Sequence, residues 1–230
     1  MTLGARAFGV IRRPRATFED VVATPNWLGL MAGMTVASVL AGVLLFQSGV
    51  GRLALLDQWE RTAAAFGQQV DDARYTELQA LSEHGAAYSM AAAVLGGPVL
   101  ILGVSGLLLA ILGNGRHRVS FRRMLAVVTH ATVILTLRQL IAAPFVYARE
   151  TTSSATSLGV WFPALDETSP VARFLGALDL FVVWWVVLLA IGMSVLHRRS
   201  SRPLAVSFVG AYMGIAAVMA IVMALLGGDA

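Results

Sequence analysis

Phe174 to Leu196 reads FLGALDLFVVWWVVLLAIGMSVL, and His197-Arg198-Arg199 follows it. A helix needs about 20 apolar residues to cross a bilayer. This run has the length, and Asp179 is its one formal charge. Trp184 and Trp185 lie inside it, and the arginines close it, as at a membrane edge. Four other runs share the pattern, near Asn26–Val50, Ala86–Leu112, Met124–Tyr147 and Leu204–Leu226. The chain therefore reads as an all-α polytopic protein with five transmembrane helices, forming a single membrane domain over residues 1–230.

Composition agrees. Of 230 residues, 57% are hydrophobic and 13% charged, against about 25% charged in a typical soluble domain. Lysine is absent, so all 17 basic side chains are arginine, which suggests a GC-rich bacterial genome. Cysteine is absent too, which excludes disulfides, thiolate metal sites and cysteine nucleophiles. The isoelectric point of 10.3 could suggest nucleic acid. The arginines cluster beside apolar runs instead, so no nucleic-acid binding is expected. The leader has Glu19 and Asp20 before a run too long for a signal core, so no cleavable signal peptide is expected.

Orientation follows from those arginines. Arg6, Arg12, Arg13 and Arg15 precede the first span. Arg116, Arg118, Arg122 and Arg123 separate the second from the third, and Arg198, Arg199 and Arg202 the fourth from the fifth. Five spans put these segments on one side, which the positive-inside rule makes cytoplasmic. The N-terminus is then cytoplasmic, the C-terminus extracytoplasmic, and the bacterial cytoplasmic membrane the expected location.

The connecting segments carry their own signals. Pro14 can begin a short N-terminal interfacial helix whose Phe18, Val21 and Val22 face lipid; the alternative is a solvated leader. Thr24 before Pro25 reads as the cap of the first span. In Gly51–Gly85, residues Leu56, Trp59, Ala63, Phe66, Val70 and Ala73 recur at steps of three and four. That spacing predicts an extracytoplasmic amphipathic helix, weakened by Gly67 and ended by Glu77. It could pack internally, lie on the membrane or pair with another subunit. Ala148–Arg173 reads as an irregular outer loop.

No set of residues spells out catalysis. His84, His117, His130 and His197 lack metal-ligand spacing, so no metal site is expected. Gly103-Val104-Ser105-Gly106 is an incomplete nucleophile elbow with no preceding strand. Nothing calls for a cofactor, and the chain reads as a non-enzyme.

The remaining candidates lie inside the spans. Gly29, Gly33, Ala37 and Ala41 recur every four residues, as do Gly210 and Gly214. Such stripes admit close helix approach, within the bundle or across a dimer seam. Gly96-Gly97-Pro98 predicts a break in the second span, either a kink or a ligand-lining site. Arg138 and Asp179 are charges in hydrocarbon, and His130 lies in the third span; intramembrane ionisable groups are functional candidates by default. Arg138 lies about 13 Å below the outer end of the third span, and Asp179 about 8 Å below that of the fourth. An ion pair between adjacent helices is therefore expected, against separate snorkelling to the headgroups.

Three stretches stand out together: Ile11-Arg12-Arg13-Pro14 through Phe18 to Thr24-Pro25, Val119 through Val128, and Asp179-Leu180-Phe181 through Trp184 and Leu188–Gly192. In order and spacing they resemble the Yip family of Ypt/Rab-interacting membrane proteins, specifically its short bacterial members. The resemblance implies five membrane helices, a cytosolic N-terminus and no established catalytic residues. Eukaryotic relatives bind small GTPases in vesicle trafficking. Here the leader is short and the first outer segment long, so small-GTPase binding is not carried over. The expected function is a non-enzymatic membrane scaffold or partner-binding protein, touching the lipid bilayer and either other membrane proteins or copies of itself. The alternative is a small transporter or channel working through Arg138, Asp179 and His130.

Overall fold

The computed structural model describes residues 1–113, 119–149, 156–162, 164–165 and 169–226. Among them the regular structure is helical. In chain order the helices are α1 (Leu3–Arg12), α2 (Pro14–Ala23), α3 (Leu28–Phe46), α4 (Gly49–Ala65) and α5 (Asp72–Ser82). They continue with α6 (Gly85–Leu112), α7 (Phe121–Arg149), α8 (Pro170–Ala177), α9 (Leu180–His197) and α10 (Ser201–Leu226). Helices α3, α6, α7, α9 and α10 are long and apolar enough to cross a membrane. This is a five-span integral membrane protein.

Local chemistry sets many of the starts. Thr2, Ser48, Asp71 and Ser169 each accept a backbone N–H from the first turn of α1, α4, α5 and α8. Pro14 and Pro170 occupy first-turn positions, where a missing N–H costs nothing.

Contacts fall into two compact units. One contains Met1–Ser38, Ala92–Leu137 and Phe181–Ala211. Its core joins Val10, Phe18 and Val21 to Met124–Val128, Ala131 and Ile134 of α7 and to Leu188, Leu189 and Met193 of α9. Gly192 lets α9 approach closely: a Cβ there would collide with Val127 Cγ1 and touch the Phe18 ring at 3.4 Å. The other unit contains Val39–Ala91, Arg138–Leu180 and the chain from Tyr212 onward. There α4 and α5 turn through Gly67 at φ 70°, and Trp59 meets Tyr88 edge-on with centroids 6.4 Å apart.

The structure corrects several expectations. The first span ends at Phe46 rather than near Val50, because Ser48 caps a new helix. The fourth starts at Leu180, because extended backbone at Leu178 separates α8 from α9. The Gly51–Gly85 pattern forms two helices, since Gly67 supplies the left-handed turn that β-carbon sterics disfavour in other residues. Leu56 is buried, but Phe66 and Ala73 are exposed. Phe18 and Val21 are fully buried against protein, so the leader is part of the fold. Thr24 ends α2 and does not cap the first span.

Candidate functional site

Asp179 lies in the extended link just before α9, outside the helix in which it was expected. Its backbone bridges Ser157 in an antiparallel pair, and Leu180 N–H donates to Thr156 O at 3.1 Å. The link thereby gains a partner strand where helical bonding lapses. Asp179 is 7% exposed at the side chain, and its Oδ2 lies 2.8 Å from Arg138 Nε. The same oxygen accepts Thr156 Oγ1–H at 2.5 Å. Asp179 N–H donates to Tyr212 Oη at 3.1 Å, and Tyr212 O–H donates to Ala177 O at 2.7 Å. The expected pair thus exists as one edge of a node joining α7, Thr156 of the α7–α8 loop, the α8–α9 link and α10.

A second node was not anticipated. Arg6 is 4% exposed. Its Nε donates to Asp20 Oδ2 at 2.7 Å, its Nη1 to Thr24 O at 3.0 Å, and its Nη2 to Thr24 Oγ1. Thr24 Oγ1–H donates onward to Asp20 O at 3.1 Å. Desolvation alone would raise the Asp20 pKa, yet the hydrogen bond and charge of Arg6 outweigh it and hold the carboxyl below its ordinary value. The readable signal was an acid on a Pro14-initiated helix, opposite an arginine on the preceding one.

His130 is fully buried in α7. Its Nδ1 lies 2.7 Å from Ala126 O, and a carbonyl only accepts, so Nδ1 carries the proton and Nε2 is an acceptor. Nε2 has no hydrogen-bond partner among the described residues. Nearby hydroxyls bond backward along their own helices: Thr129 to Leu125 O at 2.7 Å and Thr132 to Val128 O at 2.9 Å. Self-satisfaction is what a medium without water demands.

The remaining candidates stay apart from these nodes. A π-helical turn at Ala92–Gly96 carries the second span up to Pro98 without ending it. A Cβ on Gly96 or Gly97 would meet nothing within 4 Å. The same openness holds at Gly33, Gly210 and Gly214, whereas Gly29 faces Leu3 Cδ1 at 2.9 Å. Ala37 and Ala41 are half-buried. Among the described residues no cluster of histidine and carboxylate side chains has metal-binding geometry. Arg116, His117 and Arg118 lie outside the described residues, as do several residues between α7 and α8, Thr151–Ser154 among them.

In both nodes polar groups tie helices to links through side-chain bonds. Neither a curated protein nor a solved structure matches the chain. The Yip1 domain family matches residues 8–226, nearly the full length, and the chain belongs to that family.

Proposed function

We propose that this Yip1-domain protein is a non-enzymatic scaffold of a bacterial cytoplasmic membrane, holding partner membrane proteins or further copies of itself in membrane organisation or trafficking. The carrying observation is where its polar groups are used. Arg6, Asp20 and Thr24 bond one another, as do Arg138, Thr156, Asp179 and Tyr212. Two cavities, of about 690 and 770 Å³, are lined by other residues. Meanwhile the first, second and fifth spans have only 11, 17 and 11% of their apolar windows buried. Their flanks are free to meet lipid or other helices. A transporter or channel is the second reading, and the unpartnered His130 Nε2 is what favours it.

Photo-crosslinking in native membranes separates the two. A benzophenone amino acid at exposed Leu40, Leu107 or Val218 is expected to give discrete protein adducts, identified by mass spectrometry. Labelling of lipid alone, together with solute flux in liposomes that His130→Leu abolishes, would reject the scaffold.

A further inference from the structure

The starts of α3 and α7 flank a cavity of about 770 Å³ that neither polar node uses. Its walls are mostly apolar, including Leu102, Phe121 and Leu125, and its polar lining residues are Arg122 and Asn26, with Trp27 beside them. No acid lines it. Arg122 is exposed and enters no ion pair among the described residues. That is unlike Arg6 and Arg138, whose charges are answered within the protein.

Depth identifies the ligand class. Arg122 lies in the first turn of α7, at the arginine-rich end of the third span. Leu102 lies ten residues before Leu112, the end of α6 on that side, which is about 15 Å along the helix. On α7 the lining runs from Phe121 to Leu125, about 6 Å along that helix, so the groove enters one leaflet of a hydrocarbon core roughly 30 Å thick. Among the described residues that line it, Arg122 is the one cation, and a cation at the headgroup level beside an apolar groove matches one molecule with an anionic head and a hydrocarbon tail. Trp27 stands where interfacial aromatics settle. The geometry points to a site for an anionic phospholipid of that leaflet, its phosphate on the Arg122 guanidinium with the Asn26 amide beside it. One acyl chain lies along Phe121, Leu125 and Leu102. Pairing with phosphate is what a free guanidinium does best.

The test uses the purified full chain in mild detergent, with native mass spectrometry against dioleoyl phosphatidylglycerol and dioleoyl phosphatidylcholine. Phosphatidylglycerol is expected to be retained preferentially. Arg122→Gln should weaken that retention about fivefold, the worth of one arginine at an anionic surface. Leu102→Trp should reduce retention of both lipids by filling the channel. Arg202→Gln, an exposed arginine that does not line the cavity, should change nothing. Thermal melting with phosphatidylcholine alone checks that each variant is folded. Equal retention of the two lipids would overturn the site. So would equal losses in Arg122→Gln and Arg202→Gln, which would mean diffuse attraction. Competition by inorganic phosphate at millimolar concentration would also reject a lipid ligand, and dimer dissociation in Arg122→Gln would assign the groove to a second copy.

Discussion

At Asp179 one carboxylate oxygen takes both the Arg138 guanidinium and the Thr156 hydroxyl. Deleting the arginine strands a charge that is 7% exposed, whereas deleting both charges leaves Thr156 and Tyr212 able to hold the link. Arg138→Gln and Asp179→Asn should therefore each lower thermal stability, and the double variant should lose less than their sum. The expected coupling is roughly 0.5–3 kcal/mol, and strict additivity would deny the pair. Asp20 gives a pH test. Its folded pKa lies below the ordinary 3.8, so its contribution is complete above that value and fades as pH falls through the folded pKa. Asp20→Asn should melt below wild type at pH 7, and the gap should begin to narrow near the ordinary 3.8 and close only as pH falls through the lower folded pKa. A gap constant with pH would assign the loss to packing. The Arg138–Asp179 pair could be read from sequence because a charge in an apolar run needs an answer. Arg6 and Asp20 escaped because a short polar leader gives no sign of depth.

Glycines of similar sequence context behave differently once the helices pack. Gly192 sits against Val127 and Phe18, both fully buried, so neither can yield to a new methyl. Gly192→Ala should cost about 1–3 kcal/mol, as overpacking usually does. Gly33 faces open space. Gly33→Leu should leave the protomer's melting within about 0.5 kcal/mol of wild type. If copies of the chain associate through that stripe, the same change lowers the dimer fraction in detergent; a destabilised monomer would mean contacts the open geometry does not contain. The four-residue repeat marked Gly33 and missed Gly192 because spacing reports a face without reporting its neighbour. Boundaries failed for a related reason. Leu178 and Asp179 lie inside a continuous apolar run, and it is the pairing with Thr156–Leu158, absent from any local sequence signal, that explains why the helix stops there. Gly67 was legible as a weak point, but the sharpness of its turn depended on a positive φ.

Hydropathy carried the five-span architecture because lipid permits few solutions: every backbone group in hydrocarbon must be bonded internally, so long apolar runs become helices. Function was not legible in the same way, since the scaffold role proposed above rests on surfaces whose partners would leave no motif. Orientation lies between the two. Arginines crowd the leader and the α9–α10 turn, where Arg198 adopts φ 51° and Arg199 N–H closes on Ser194 O at 2.9 Å. The α4–α5 segment instead carries Asp57, Glu60, Asp71, Asp72, Glu77 and Glu83 against Arg52, Arg61 and Arg74. Translocating arginine against the membrane potential is the disfavoured step, so the arginine-rich turns should stay cytoplasmic. The absence of native cysteine makes this directly measurable. Gln68 and Ser200 are both exposed in turns, so a thiol at either can be reached from its own side. In intact cells a membrane-impermeant maleimide should label Gln68→Cys at once. It should label Ser200→Cys only after permeabilisation. The reverse pattern would invert the topology, and labelling of both in sealed cells would mean that the two turns share a side, which five spans do not allow.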